Sequence, residues 1–118
     1  MYLLCTDGVA EFDLATQRFK TLLQGNVDAI YFNEKLYIGK REEVFVYNES
    51  TGNFDLFYHL AGKNITLSCL HLDKNKNLWM GTTSNGIYCL SEDKSLSRPV
   101  TKGNITSIYE DSSNELWI

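Results

Sequence analysis

The sequence predicts an all-β chain built from repeated four-stranded antiparallel sheets. Three observations carry this: segments recur at steps of 35 to 42 residues, polar tracts punctuate short apolar runs, and no stretch holds a 3.6-residue apolar stripe over three turns. Residues 67–73, a polar turn and residues 78–82 return as residues 105–111, a turn and residues 116–118. Leu67 to Ile105 is a step of 38 residues, and so is Trp79 to Trp117. Upstream, residues 27–32 lead into residues 36–39, with Tyr37 standing 42 residues before Trp79. A partial copy opens the chain, because Tyr2, Val9, Phe12, Thr16 and Phe19 each precede Tyr37, Val44, Tyr47, Thr51 and Phe54 by 35 residues. Gly25-Asn26, Gly62-Lys63-Asn64 and Gly103-Asn104 close three successive units at the same place.

Taken in order, the first strand of a unit is exemplified by residues 67–72. It is apolar on both faces (Leu67, Cys69, Leu70, Leu72), as an inner strand packed between two sheets must be. A small residue recurs there at Ala29, Cys69 and Ser107. The second strand, residues 78–81, carries an aromatic at Tyr37, Trp79 and Trp117, predicted to wedge between adjacent sheets and bury on the order of 150–250 Å². The third is residues 86–90 and the fourth residues 54–60. Asp73-Lys74-Asn75-Lys76-Asn77 and Asp111-Ser112-Ser113-Asn114 form the first hairpin, and most of the eight glycines fall where strands end or turn. Residues 12–23 could also be drawn as an amphipathic helix. Their repeat partner holds Asn48, Ser50, Thr51, Gly52 and Asn53, which is turn chemistry, so both copies read as strand, turn, strand.

Four-stranded units of this length suit the blades of a β-propeller. Residues 1–26 are predicted to hold strands two to four of one blade, 27–64 and 65–104 a blade each, and 105–118 the first two strands of another. About three four-stranded antiparallel blades form an incomplete propeller, since a closed ring takes roughly four to eight. A single blade cannot bury both faces of its sheet, so neighbours must stack. The expectation is a segment of a longer propeller, or one that closes by self-association through its open blade faces.

Composition removes several function classes. The 118 residues carry 11 Lys+Arg against 15 Asp+Glu, a net charge of −4, so there is no basic face for nucleic acid or an anionic membrane. No run approaches the roughly 18 apolar residues of a membrane span, and the N-terminus lacks the pattern of a signal peptide. Cys5, Cys69 and Cys89 form no CxxC pair. They read as small buried apolar side chains, with a Cys69–Cys89 bridge between neighbouring strands left open. No nucleophile elbow, phosphate-binding glycine loop or HExxH helix occurs, so no enzymatic activity is expected of the chain. No cofactor or metal site is expected either. His59 and His71 lack a second ligand at metal spacing, and the Asp/Asn hairpins lack the ligand order of a calcium loop. The three N-x-S/T sequons at Asn48, Asn64 and Asn104 read as by-products of the repeat and its turns.

Residues 105–111 through Leu116-Trp117-Ile118 closely resemble the two-component regulator propeller repeat. So do residues 67–90, with Asn77-Leu78-Trp79-Met80-Gly81-Thr82 and Asn85-Gly86-Ile87-Tyr88. The resemblance is strong over residues 65–118 and looser before. Unit two departs from it, with Lys40-Arg41-Glu42-Glu43 in place of Gly-Thr…Asn-Gly and Tyr37 in place of Trp. Such repeats build the sensor propellers of hybrid histidine kinase regulators in Bacteroides-type bacteria. The resemblance implies a periplasmic, ligand-sensing segment, often responsive to carbohydrate, whose kinase and membrane anchor belong to other sequence. An oligosaccharide is the partner it implies. A propeller scaffold or propeller enzyme outside two-component signalling is the alternative.

Propeller geometry favours ligand binding on the side bearing the loops between second and third strands and the linkers between blades. Here those are Lys40-Arg41-Glu42, Thr82-Thr83-Ser84-Asn85 and the surroundings of Asn26, Asn64 and Asn104. Lys40, Arg41, Thr83 and Asn85 are the candidate ligand-binding residues, with amide, hydroxyl and cationic groups suited to sugar hydroxyls. Tyr37, Trp79 and Trp117 are the candidate inter-blade aromatics. A propeller–propeller contact is the competing use of the same surface.

Overall fold

The structure, a computed structural model, describes residues 1–5, 8–60, 64–97 and 103–118. The Gly62-Lys63 part of the second linker and residues 98–102 of the third unit lie outside the described residues, as does the side chain of Cys5. The described residues form strands and no helix, so residues 12–23 are strand and turn. In chain order, β1 (Tyr2–Cys5), β2 (Gly8–Asp13) and β3 (Arg18–Gln24) make sheet one. Sheet two holds β4 (Ala29–Asn33), β5 (Lys35–Lys40), β6 (Glu43–Asn48) and β7 (Asn53–His59), in that spatial order. Sheet three holds β8 (Leu67–Leu72), β9 (Leu78–Thr82) and β10 (Ile87–Leu90), and an antiparallel Leu90–Leu96 bridge continues it at its outer edge. The strands β11 (Tyr109–Glu110) and β12 (Leu116–Trp117) make sheet four. Every strand pair is antiparallel and joins neighbours in sequence, the up-and-down order of propeller blades.

Strand alternation divides the apolar residues between two cores, one at each junction. On sheet two, Leu36 and Ile38 turn toward sheet one and close with Val9 and Val27, while Ile30, Phe45, Tyr47 and Phe54 pack at the margin. The alternate positions Ala29, Tyr37 and Val44 turn toward sheet three and meet Leu67, Leu70, Leu78, Met80 and Leu90. Sheet two is therefore buried on both faces, as stacked blades require.

The fourth strand breaks alternation in the same way twice. The register shifts between Val9 and Ala10 opposite β3, and again between Val44 and Phe45 opposite β7. Each bulge lets two consecutive residues, Leu22-Leu23 and Phe57-Tyr58, pack against the next core. The doublets lie 35 residues apart, the spacing of the opening repeat.

Backbone bonds also fix the chain around the start of each first strand, within sheet two at Asp28 and to the preceding unit at Leu67 and Ile105. Asp28 N–H donates to the Gly39 carbonyl at 2.8 Å, Leu67 N–H to Arg41 at 2.7 Å and Ile105 N–H to Thr82 at 2.8 Å. Close approach explains two glycines that stand inside a strand and not at a turn. A Cβ on Gly81 would lie 2.4 Å from Cys69 Sγ and 2.7 Å from Ile105 Cγ2, and one on Gly39 would lie 3.2 Å from Leu67 Cβ.

Cys69 and Cys89 are both free thiols and half-buried, so no Cys69–Cys89 bridge forms and neither is fully enclosed. Burial pushes both thiols up from their ordinary value.

Candidate functional site

At one end of sheets one to three, the second-to-third-strand turn of sheet two and the linkers on either side of it enclose a cleft of about 620 Å³. It is lined by Asn26, Asp28, Lys40, Arg41, Glu42, Glu43, Asn64, Ile65 and Thr66. Its geometry is set by backbone. Lys40 pairs with Glu43 across a two-residue turn, and Arg41 at its corner has φ 54°, in the left-handed region. That corner is held by the Asp28 carboxylate, which accepts the Arg41 N–H at 2.7 Å. The Arg41 and Glu42 carbonyls are taken by the N–H groups of Leu67 and Leu60, at 2.7 and 2.8 Å. Lys40-Arg41-Glu42 is thus fastened on both sides, and the Lys40 and Arg41 side chains find no ion-pair partner among the described residues. Glu42 and Glu43 are engaged elsewhere, flanking the His59 imidazole at 3.8 Å each.

The structure brings Lys40 and Arg41 together with Asn26 and Asn64, and it places Thr83 and Asn85 at the next junction. There the loop after β9 is organised by Thr82, the fully buried polar residue among those described. Its hydroxyl donates to the Gly86 carbonyl at 2.7 Å and accepts the Asn85 N–H at 2.8 Å. Gly86 has φ 78°, and its N–H reaches the Gly103 carbonyl. Thr83 is exposed, and its N–H donates to the Thr66 carbonyl at 3.0 Å, so the second loop abuts the rim of the cleft. Asp28 and Thr66, which line the cleft, escaped the sequence reading. Their signal was position alone, immediately before a first strand.

The aromatics of the second strand differ in burial. Tyr37 is buried between sheets two and three, with Phe57 edge-on at 5.5 Å between centroids. Trp79 is half-buried, and Trp117 is 58% exposed on the outward face of sheet four. Each tryptophan is clasped by the aspartate six residues before it. Trp79 Nε1 donates to Asp73 at 3.0 Å and Trp117 Nε1 to Asp111 at 2.9 Å. The same carboxylates cap the hairpin: Asp73 accepts the N–H groups of Asn75 and Asn77, and Asp111 those of Ser113 and Glu115. Burial alone would raise Asp73, but the Trp79 indole and the Asn77 and Asn75 donors outweigh it and hold the carboxyl below the usual range. The Trp117 indole, followed by the Glu115 and Ser113 N–H groups, lowers Asp111 in the same direction.

His71 Nε2 lies 3.3 Å from Glu110 Oε1, joining sheets three and four, and its ring meets Tyr31 edge-on at 5.3 Å. The Tyr31 hydroxyl donates to the Leu72 carbonyl at 3.1 Å. These contacts tie three successive inner strands. Among the described residues no group of three or more His, Cys, Asp and Glu side chains could hold a metal ion.

Residues 59–84 match the family model described as the two component regulator propeller. No curated protein sequence matches the chain significantly. Among solved structures, the chain resembles the extracellular domain of BT4673 from B. thetaiotaomicron, described as a hybrid two component system. The TM-score is 0.77 and the identity 23%, over 98% of this chain and 18% of that one. The extracellular domain of BT3049 from the same organism matches with TM-score 0.68 and 19% identity, over 95% of this chain and 16% of that one. PorZ, a surface component of the type-IX secretion system of Porphyromonas gingivalis, matches with TM-score 0.56 and 20% identity, over 73% and 15%. The chain therefore spans less than a fifth of the length of these proteins. At such identities the likeness establishes the fold, which is a run of propeller blades.

Proposed function

We propose that this chain is a non-catalytic, ligand-sensing propeller segment from the extracytoplasmic, periplasmic region of a hybrid two-component regulator, and that it receives an oligosaccharide at the Lys40–Arg41 cleft. The cleft carries the reading. It sets Asn26 and Asn64 amides, the Thr66 hydroxyl and the Lys40 and Arg41 donors around one space, on a turn already fixed by three hydrogen bonds. A sugar presents many hydroxyls at fixed spacing, and a preorganised ring of donors and acceptors binds it without first ordering loops. The two-component regulator propeller match over residues 59–84 supports the signalling context, since it covers the Asn64–Thr66 side of the cleft.

Isothermal titration calorimetry of the chain against a panel of neutral and acidic oligosaccharides tests the reading. One class should bind, and Arg41→Ala and Asn64→Ala should each weaken it by about tenfold, on the order of 1.4 kcal/mol. Silence across the panel, or binding that neither substitution changes, overturns it.

A further inference from the structure

We infer that the space between sheets two and three, at the hairpin end of β5, is a second binding site. Its ligand is a small amphipathic carboxylate, an apolar body bearing one anionic group. The site lies at the opposite end of β5 from the Lys40–Arg41 cleft, and both of its walls are sheets of this chain. It encloses about 450 Å³, an ordinary volume for a small-molecule pocket.

A shortened hairpin creates it. In sheets three and four, Leu72 pairs with Leu78 and Glu110 with Leu116, each six residues on, whereas in sheet two Phe32 pairs with Leu36, four residues on. The shorter turn has no counterpart of the aspartate that clasps each tryptophan. Tyr37, Trp79 and Trp117 share one register position, opposite Tyr31, His71 and Tyr109. Both indoles are bonded to an aspartate. Tyr37 lines the space, is only 6% exposed, and its hydroxyl makes no hydrogen bond among the described residues. Burial, with Tyr31 beside it, raises the Tyr37 pKa, so the hydroxyl keeps its proton at neutral pH and is a waiting donor. A buried hydroxyl left unpaired is costly, and a ligand that brings an acceptor relieves that cost.

Lys94 supplies the second donor. It reaches across from the turn after β10, with Nζ 3.2 Å from the Phe57 ring centroid and 3.1 Å from the Phe57 carbonyl, to which it donates. That carbonyl takes one of the three ammonium N–H groups. Lys94 has no carboxylate partner among the described residues. Of the other charged groups lining the space, Lys76 is paired with Glu92 at 3.6 Å. Lys35 and Lys94 then stand against Glu34, two cations to one anion. Phe57, Leu72, Leu78 and Leu90 give the apolar wall, and the Phe57 ring meets Tyr37 edge-on at 5.5 Å, so one ligand reaches both donors. A carboxylate accepts from the ammonium and the hydroxyl together while its apolar body covers the leucines, and such charge-assisted bonds gain strength away from water. A cationic ligand would meet two donors and an excess of positive charge.

An amide NMR titration of the chain with hydrocinnamate, and with hydrocinnamyl alcohol as its uncharged counterpart, tests this. Hydrocinnamate should shift the signals of Tyr37, Phe57, Leu72 and Lys94 saturably. It should bind about tenfold more tightly than the alcohol, the scale of one charge-assisted bond. Lys94→Met should abolish that preference. Tyr37→Phe should weaken hydrocinnamate about fivefold, as for one neutral hydrogen bond. Because the hydroxyl it removes has no partner inside the chain, Tyr37→Phe should leave the urea unfolding midpoint unchanged or raise it, and this reads the unpaired hydroxyl independently of any ligand. The inference is overturned by no saturable shift at these residues, by equal binding of acid and alcohol, or by a preference that survives Lys94→Met. A Tyr37→Phe variant that binds as tightly as the unaltered chain, or unfolds at lower urea, overturns it as well.

Discussion

The aspartate–tryptophan clasp shows how one side chain does two jobs in a repeat. Asp73 organises the first hairpin through the N–H groups of Asn75 and Asn77 and at the same time fixes the Trp79 indole. Both carboxyls are held below their ordinary range in the folded chain. A depressed folded-state value means the stabilisation is fully present above the unfolded aspartate value, about 3.9, and is lost as pH falls through the folded value. Acid should therefore loosen the two hairpins below about pH 4. Trp79 and Trp117 are the two tryptophans of the chain, so intrinsic fluorescence reads this directly. Asp73→Ala should cost about 1–3 kcal/mol in denaturant unfolding, as expected where a carboxylate accepting several bonds is removed. It should also shift tryptophan emission at neutral pH. Unchanged emission would mean that the clasp does not hold the indole. The aspartate and tryptophan were visible in the sequence as recurring letters, but the bond between them was not, because a spacing of six across a hairpin depends on the turn geometry.

At the scale of elements, the bulge of the fourth strand decides how adjacent sheets meet. It presents Phe57 and Tyr58 together to the core between sheets two and three. Lys94, from the turn after β10, then reaches across the junction. Its ammonium lies 3.2 Å from the Phe57 ring centroid and donates to the Phe57 carbonyl at 3.1 Å. Desolvation there lowers its pKa. A double-mutant cycle on Phe57→Leu and Lys94→Met should give a coupling energy of about 0.5–1 kcal/mol, the range of a partly exposed cation–π contact. Additive effects would show that the contact adds nothing to the junction. The order of strands followed from the steps of 35 to 42 residues, but the bulges that bring Leu22-Leu23 and Phe57-Tyr58 to the cores were not read from the sequence, where Leu22 and Leu23 only suggested one side of a helix. The cross-sheet reach of Lys94 was not legible, because its partner stands 37 residues away and no local pattern points to it. The candidate site was legible in half. Lys40 and Arg41 do meet Asn26 and Asn64, yet Thr83 and Asn85 fall to the next junction, with Thr83 reaching only the rim through its bond to Thr66.

For the whole molecule, stability is set by junctions between sheets, and the junctions are unequal. The one between sheets one and two encloses Val9, Val27, Leu36 and Ile38, with Tyr2, Leu22, Leu23 and Phe45 at its margin. The junction between sheets three and four holds Ile105, the His71–Glu110 contact and the close approach at Gly81. In a stack where each sheet touches only its neighbours, total stability is nearly the sum of sheet and junction terms. Removing residues 1–26 leaves Leu36 and Ile38 open to water, at about 1.5–3 kcal/mol for each fully buried side chain of this size. Removing residues 104–118 uncovers mainly the Gly81 surface and releases His71 from Glu110. Urea unfolding followed by circular dichroism should show the first truncation lowering the midpoint clearly more than the second. Both should reduce the slope, as less surface is exposed on unfolding. Equal losses would mean that coupling spreads beyond nearest neighbours and that the four sheets unfold as one body.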